Sequence, residues 1–164
     1  MSVFDFAMQM ELDGKSYYEE QAAKTEVSQL KRLLLELASD EQRHYNIFKA
    51  LKAGEQVSYD TKQATTVFKS AKNVFEELKS TGEEFSFAAD VREAWVKARE
   101  VEKKSEAFYR RKANEIDDAG QKEILHRIAD EEQKHWTTIE NVIGFLNRPQ
   151  QWLENAEWAD LGDD

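Results

Sequence analysis

Displaced by 91 residues, the chain falls on itself. Glu11 lands on Glu102, Tyr18 on Tyr109, Ala22 on Ala113, Lys31 on Lys122 and Leu34 on Leu125. Ala38 lands on Ala129, Glu41 on Glu132, Gln42 on Gln133 and His44 on His135. These identities need no gap and fall within about 45 positions, so the chain holds two copies of one structural unit. Each copy has two stretches of helical periodicity: 3–24 and 28–53 in the first, 88–116 and 119–146 in the second. Connections of a few residues make the two helices of each copy antiparallel neighbours. Two such hairpins predict an all-α four-helix bundle, with a long crossover between them.

Turn residues agree. One Pro and six Gly in 164 residues are too few for the many turns of a β-rich chain. The bundle is expected over 1–148, with the crossover at 54–87. The crossover holds a short helix near 64–79, because Val67, Ala71, Val74, Phe75 and Leu78 share a face. Pro149 ends the fourth long helix. A tail, 149–164, carries Trp152, Leu153, Trp158 and Leu161. It is expected to pack on the bundle or on a second subunit, which makes a homodimer one outcome.

The stripes that should form the core carry charge at their middle. The second helix reads Leu30, Leu34, Leu37, Glu41, His44, Phe48, Leu51, and the fourth reads Gln121, Leu125, Ile128, Glu132, His135, Ile139, Val142. These are heptad core positions. The first and third helices place Glu11 and Glu102 on theirs. Glu11 and Glu41 are each 15 residues from position 26, and Glu102 and Glu132 are each 15 from position 117. All four carboxylates should therefore lie at one level, roughly 22 Å from the hairpin turns at 1.5 Å per residue. Unpaired buried carboxylates are costly, and no stripe position is Lys or Arg. Two divalent cations would neutralise four Glu, and oxygen plus imidazole ligands without thiolate suit iron or manganese.

Composition removes other classes. No Cys is present, which excludes disulfides, cysteine-bound zinc, iron–sulfur clusters and a thiol nucleophile. With 33 acidic against 23 basic residues, the net charge is −10, which argues against nucleic acid as a partner. There is no basic, apolar leader and no run of 18 apolar residues, so no membrane role and a cytoplasmic location are expected.

One Glu from each of two helices, with Glu-x-x-His from each of the other two, is the arrangement of di-iron carboxylate bundles. The sequence resembles the rubrerythrin-like branch of the ferritin-like superfamily, in its stand-alone form without a rubredoxin segment. The resemblance rests on Met10-Glu11 through Tyr17-Tyr18, Asp40-Glu41-Gln42-Arg43-His44, Val101-Glu102 through Phe108-Tyr109, and Asp130-Glu131-Glu132-Gln133-Lys134-His135. It covers about 3–146. It implies two iron ions, with manganese or a mixed pair as alternatives. Glu41 and Glu132 would bridge them, Glu11 and His44 would complete one shell, and Glu102 and His135 the other. It also implies that Tyr18 and Tyr109 lie behind the ligands and that Asp40 and Glu131 orient the histidines.

Many relatives carry an extra Glu three residues after the third-helix ligand. Here that position is Ser105, with Gly14 as its repeat partner, so open space beside the metals is expected at both. The implied activity is reduction of hydrogen peroxide or dioxygen, with electrons from an external donor such as a rubredoxin. Two other classes stay open: an iron-binding or ferroxidase module without turnover, and a di-iron oxygenase acting on an organic substrate.

Overall fold

The computed structural model describes residues 2–161. Met1 and the last three residues of the expected tail, 162–164, lie outside the described residues. Four long helices form the bundle: α1 (Val3–Lys24), α2 (Ser28–Lys52), then, after the shorter α3 (Val67–Thr81), α4 (Ala89–Glu115) and α5 (Ala119–Asn147). A seven-residue coda, α6 (Pro149–Asn155), follows. There is no strand among the described residues, as the repeat and the turn count predict. No described helix is long and apolar enough to cross a membrane.

Local chemistry sets the boundaries. Ser2 caps α1 with a reciprocal box: its hydroxyl accepts from the Asp5 amide, and Asp5 accepts from the Ser2 amide. Asp118 caps α5 by accepting from the Gln121 amide. Gly82 ends α3 at φ +67°, a left-handed conformation that glycine adopts without strain. Pro149 does more than stop α5. It opens α6, where its missing N–H is no loss.

The crossover and tail close one half of the bundle. Val67, Ala71, Val74, Phe75 and Leu78 of α3 are all buried. Phe75 packs on Trp152 and Trp158, with ring centroids 5.5 and 6.0 Å away. Both tryptophans are thus buried against their own chain. Gly144 on α5 is the seat of Trp152: a Cβ there would lie 2.9 Å from the indole ring. Between this apolar half and a second cluster around Phe48, Tyr109, Leu125 and Ile128 lies a polar layer.

Candidate metal centre

Helical period brings the six expected residues to that layer. Glu11 comes from α1, Glu41 and His44 from α2, Glu102 from α4, Glu132 and His135 from α5, and none is more than 3 % exposed. Their ligand atoms form two overlapping groups, each spanning no more than 4.8 Å. One is Glu11, Glu41, His44 and Glu132. The other is Glu41, Glu102, Glu132 and His135. Glu41 and Glu132 belong to both. The imidazoles are 6.0 Å apart and nearly parallel, at 21°.

Each of the six residues keeps one buried atom without a hydrogen-bond partner: Glu11 Oε2, Glu41 Oε1, His44 Nδ1, Glu102 Oε2, Glu132 Oε1 and His135 Nδ1. Such atoms are rare in a core, since an unpaired buried acceptor is unfavourable. His44 Nδ1 lies 3.3 Å from Glu11 Oε2 and 3.0 Å from Glu132 Oε1. His135 Nδ1 lies 3.3 Å from Glu41 Oε1 and 3.5 Å from Glu102 Oε1. Six lone-pair atoms thus point into one dry space, and their oxygen and imidazole chemistry fits a divalent metal.

The other polar atoms of Glu11, Glu102, His44 and His135 are held from the opposite hairpin. Tyr18 on α1 donates to Glu102 on α4 at 2.5 Å, and Tyr109 on α4 donates to Glu11 on α1 at 2.7 Å. His44 Nε2 is 3.0 Å from Glu131 Oε1, and His135 Nε2 is 2.9 Å from Asp40 Oδ2. A carboxylate at Nε2 favours the tautomer with the proton there, which leaves Nδ1 as a donor of electrons.

Charge follows from this packing. Burial pushes the Glu11 carboxyl up to about 7. Burial, and then repulsion from Glu102, hold Glu41 and Glu132 well above the usual carboxylate range. Glu102 is the exception. Burial would raise it, but bonds from Glu132, His135 and Tyr18 bring it down to about 2. Burial opposes charge on His44, yet Glu131 and Glu132 beside it prevail and hold it up at about 10. Protons and metal ions are therefore competitors for the same inward atoms.

The rubrerythrin family model matches residues 3–143. The chain belongs to the rubrerythrin family. No curated protein and no solved structure matches it. Membership makes this rubrerythrin-family chain a di-iron carboxylate protein in kind, and its buried Glu/His cluster fits metal binding.

Space beside the cluster differs from the sequence expectation at Gly14. A Cβ at Gly14 would lie 3.2 Å from Glu41 Oε2, so the glycine accommodates that carboxylate and does not leave an opening. Ser105 is buried, at 8 % exposure. Sequence reasoning missed three residues around the cluster. Arg43 bonds Glu131 and lies 3.4 Å from Asp40; Tyr59 donates to Glu131; the Thr65 hydroxyl donates to Asp40. The Arg43 contact was legible, three residues after Asp40 on one helix. Tyr59 and Thr65 lie between α2 and α3, outside any helical period.

Proposed function

We propose that this chain binds two iron ions through Glu11, Glu41, His44, Glu102, Glu132 and His135 and uses them to reduce hydrogen peroxide. The observation that carries the reading is the pair of overlapping ligand groups, together with the one buried atom on each of the six residues that lacks a hydrogen-bond partner. Glu41 and Glu132 would serve both ions, because only they belong to both groups. Manganese is the alternative metal for the same ligands.

A bound iron pair supplies two electrons, which with two protons convert hydrogen peroxide to two waters. The chain's own residues do the rest. The four carboxylates balance the charge of two divalent ions. Tyr109 and Tyr18 hold Glu11 and Glu102 by one oxygen each and leave the other facing inward. Asp40 and Glu131 fix the histidine rings with Nδ1 inward. The apolar clusters on both sides exclude bulk water. In this reading the electrons come from an external donor such as a rubredoxin, in the cytoplasm.

A small oxidant suits this geometry better than an organic substrate. The large cavity of about 710 Å³ lies between α1, α2, α4 and the segment before α4. Its lining reaches Leu34 and Ala98 but includes none of the six ligand residues. An organic molecule there would sit away from the metals, which weighs against the oxygenase reading. Metal analysis and a peroxide-consumption assay with a supplied reductant test the proposal together. Two irons per chain and repeated turnover are expected. Two irons without turnover would leave a ferroxidase or binding module, and no bound metal would overturn the site.

A further inference from the structure

The two halves agree in the residues that face inward and differ in what stands behind them. Behind His44 is Glu131, and behind His135 is Asp40. Glu131 accepts from the Arg43 guanidinium through two nitrogens, from the Tyr59 hydroxyl, and from the Thr65 amide at 3.2 Å. Asp40 accepts from the Thr65 hydroxyl at 2.5 Å and has Arg43 only at 3.4 Å. Arg43 on α2 supplies part of the difference, and one stretch of chain supplies the rest. Tyr59 and Thr65 both lie between α2 and α3, and one 91-residue step carries them to Gln150 and Ala156 in the tail, which have neither group. The tail packs on Phe75 and Gly144 instead.

A carboxylate that accepts an imidazole N–H makes the opposite ring nitrogen a stronger ligand. A guanidinium, a phenol and an amide all draw on Glu131, so it has less charge to lend to His44. Asp40, with one close hydroxyl, has more to lend to His135. We propose that the crossover, through the Tyr59 hydroxyl and the Thr65 amide on Glu131, makes the two metal positions unequal, so that the position of Glu102 and His135 binds its ion more tightly than that of Glu11 and His44. Tyr59 and Thr65 are positioning residues in this scheme, acting through Glu131. The inference rests on the reading that the six residues hold two ions.

Cobalt(II) titration of the metal-free full chain, followed by its visible absorption, tests it. Repulsion between two bound ions would separate the steps even in a symmetric site, so the comparison uses single-position variants. His44→Gln leaves the position of His135, and His135→Gln leaves that of His44. The first should hold its remaining ion roughly tenfold tighter, at the lower end of the usual effect of such outer partners. Adding Tyr59→Phe, which keeps the ring and removes only the hydroxyl, should tighten the ion of His135→Gln severalfold. It should leave the ion of His44→Gln unmoved. In the chain with all six ligands, Tyr59→Phe alone should narrow the gap between the two steps. Equal affinities in the two histidine variants would overturn the inference, as would a Tyr59→Phe effect of the same size in both. If the unaltered chain takes up no cobalt(II), iron(II) or manganese(II), the two-metal reading itself fails, and this inference with it.

Discussion

Tyr109 on α4 donates its hydroxyl to Glu11 on α1 at 2.7 Å, so a residue of the second hairpin positions a carboxylate of the first. Tyr18 returns the contact, from α1 to Glu102 on α4. The two hairpins are thereby tied at the level of the cluster, and each half of the site depends on the other for its geometry.

Tyr109→Phe removes that donor and leaves Glu11 Oε1 buried without a partner. Loss of one partner from a buried pair costs about 1–3 kcal/mol. Chemical denaturation of the metal-free chain should show a loss in that range. A titration should still find two ions, because the phenol is not a ligand. No change in stability would mean that water or a shifted side chain replaces the phenol.

Stability of the metal-free chain should fall as pH rises. Glu11 holds its proton up to about 7 in the folded chain, against an ordinary 4.5. His44 holds one up to about 10, against 6.5. Both are raised in the folded state. Their contributions are complete below the unfolded values and are lost as pH climbs through the folded ones, over about 4.5–7 and 6.5–10. Metal ions displace the same protons, so the gain in Tm on adding metal should grow over this window. Melting curves at pH 6 and pH 9, with and without iron(II) or manganese(II), check both slopes. A metal gain that shrinks with rising pH would contradict the assignment.

Glu41 and Glu132 serve both ligand groups, so replacing them should separate stability from binding. Glu41→Gln with Glu132→Gln removes two buried carboxyls that repel Glu102. The metal-free double variant should be more stable at pH 9 by on the order of 1 kcal/mol, as expected when buried charge is replaced by neutral groups. It should also lose the pair of metals. Retention of two ions by the double variant would show that these residues do not bridge.

Gly14→Ala sets two effects against each other. Alanine in a helix interior is better than glycine by about 1 kcal/mol. Its Cβ would sit 3.2 Å from Glu41 Oε2, so that carboxylate, which belongs to both ligand groups, must shift by a few tenths of an ångström. The metal-free chain should be at least as stable as the parent, while metal affinity falls at both positions. Ser105→Ala should leave affinity unchanged. Equal metal affinity in Gly14→Ala and the parent would show that Glu41 has room to yield.

Gly144→Ala tests the seat of the tail. The added Cβ meets the Trp152 ring at 2.9 Å, and overpacking of a rigid aromatic group costs about 1–3 kcal/mol. A red shift in tryptophan fluorescence should accompany the loss, with two metals still bound.

The sequence alone determined the bundle, the level of the four glutamates and the six inward residues. The reason is periodicity. A helix repeats every 3.6 residues, so Glu41 and His44 must share a face with Leu37 and Phe48, and equal distances from a turn place Glu11 level with Glu41. Only the tertiary structure decided which groups stand behind that face. Helical period places Asp40 and Glu131 beside the site, but the choice of His135 for Asp40 and His44 for Glu131 follows from how the hairpins pack together. Gly14 reads in sequence as vacant space, yet the structure places Glu41 against it, because side-chain volume from another helix leaves no trace in local pattern. Tyr59 and Thr65 were invisible for the same physical reason. They lie in an irregular segment whose course is set by chain closure and burial, and neither has a period from which a partner 66 to 72 residues away could be read.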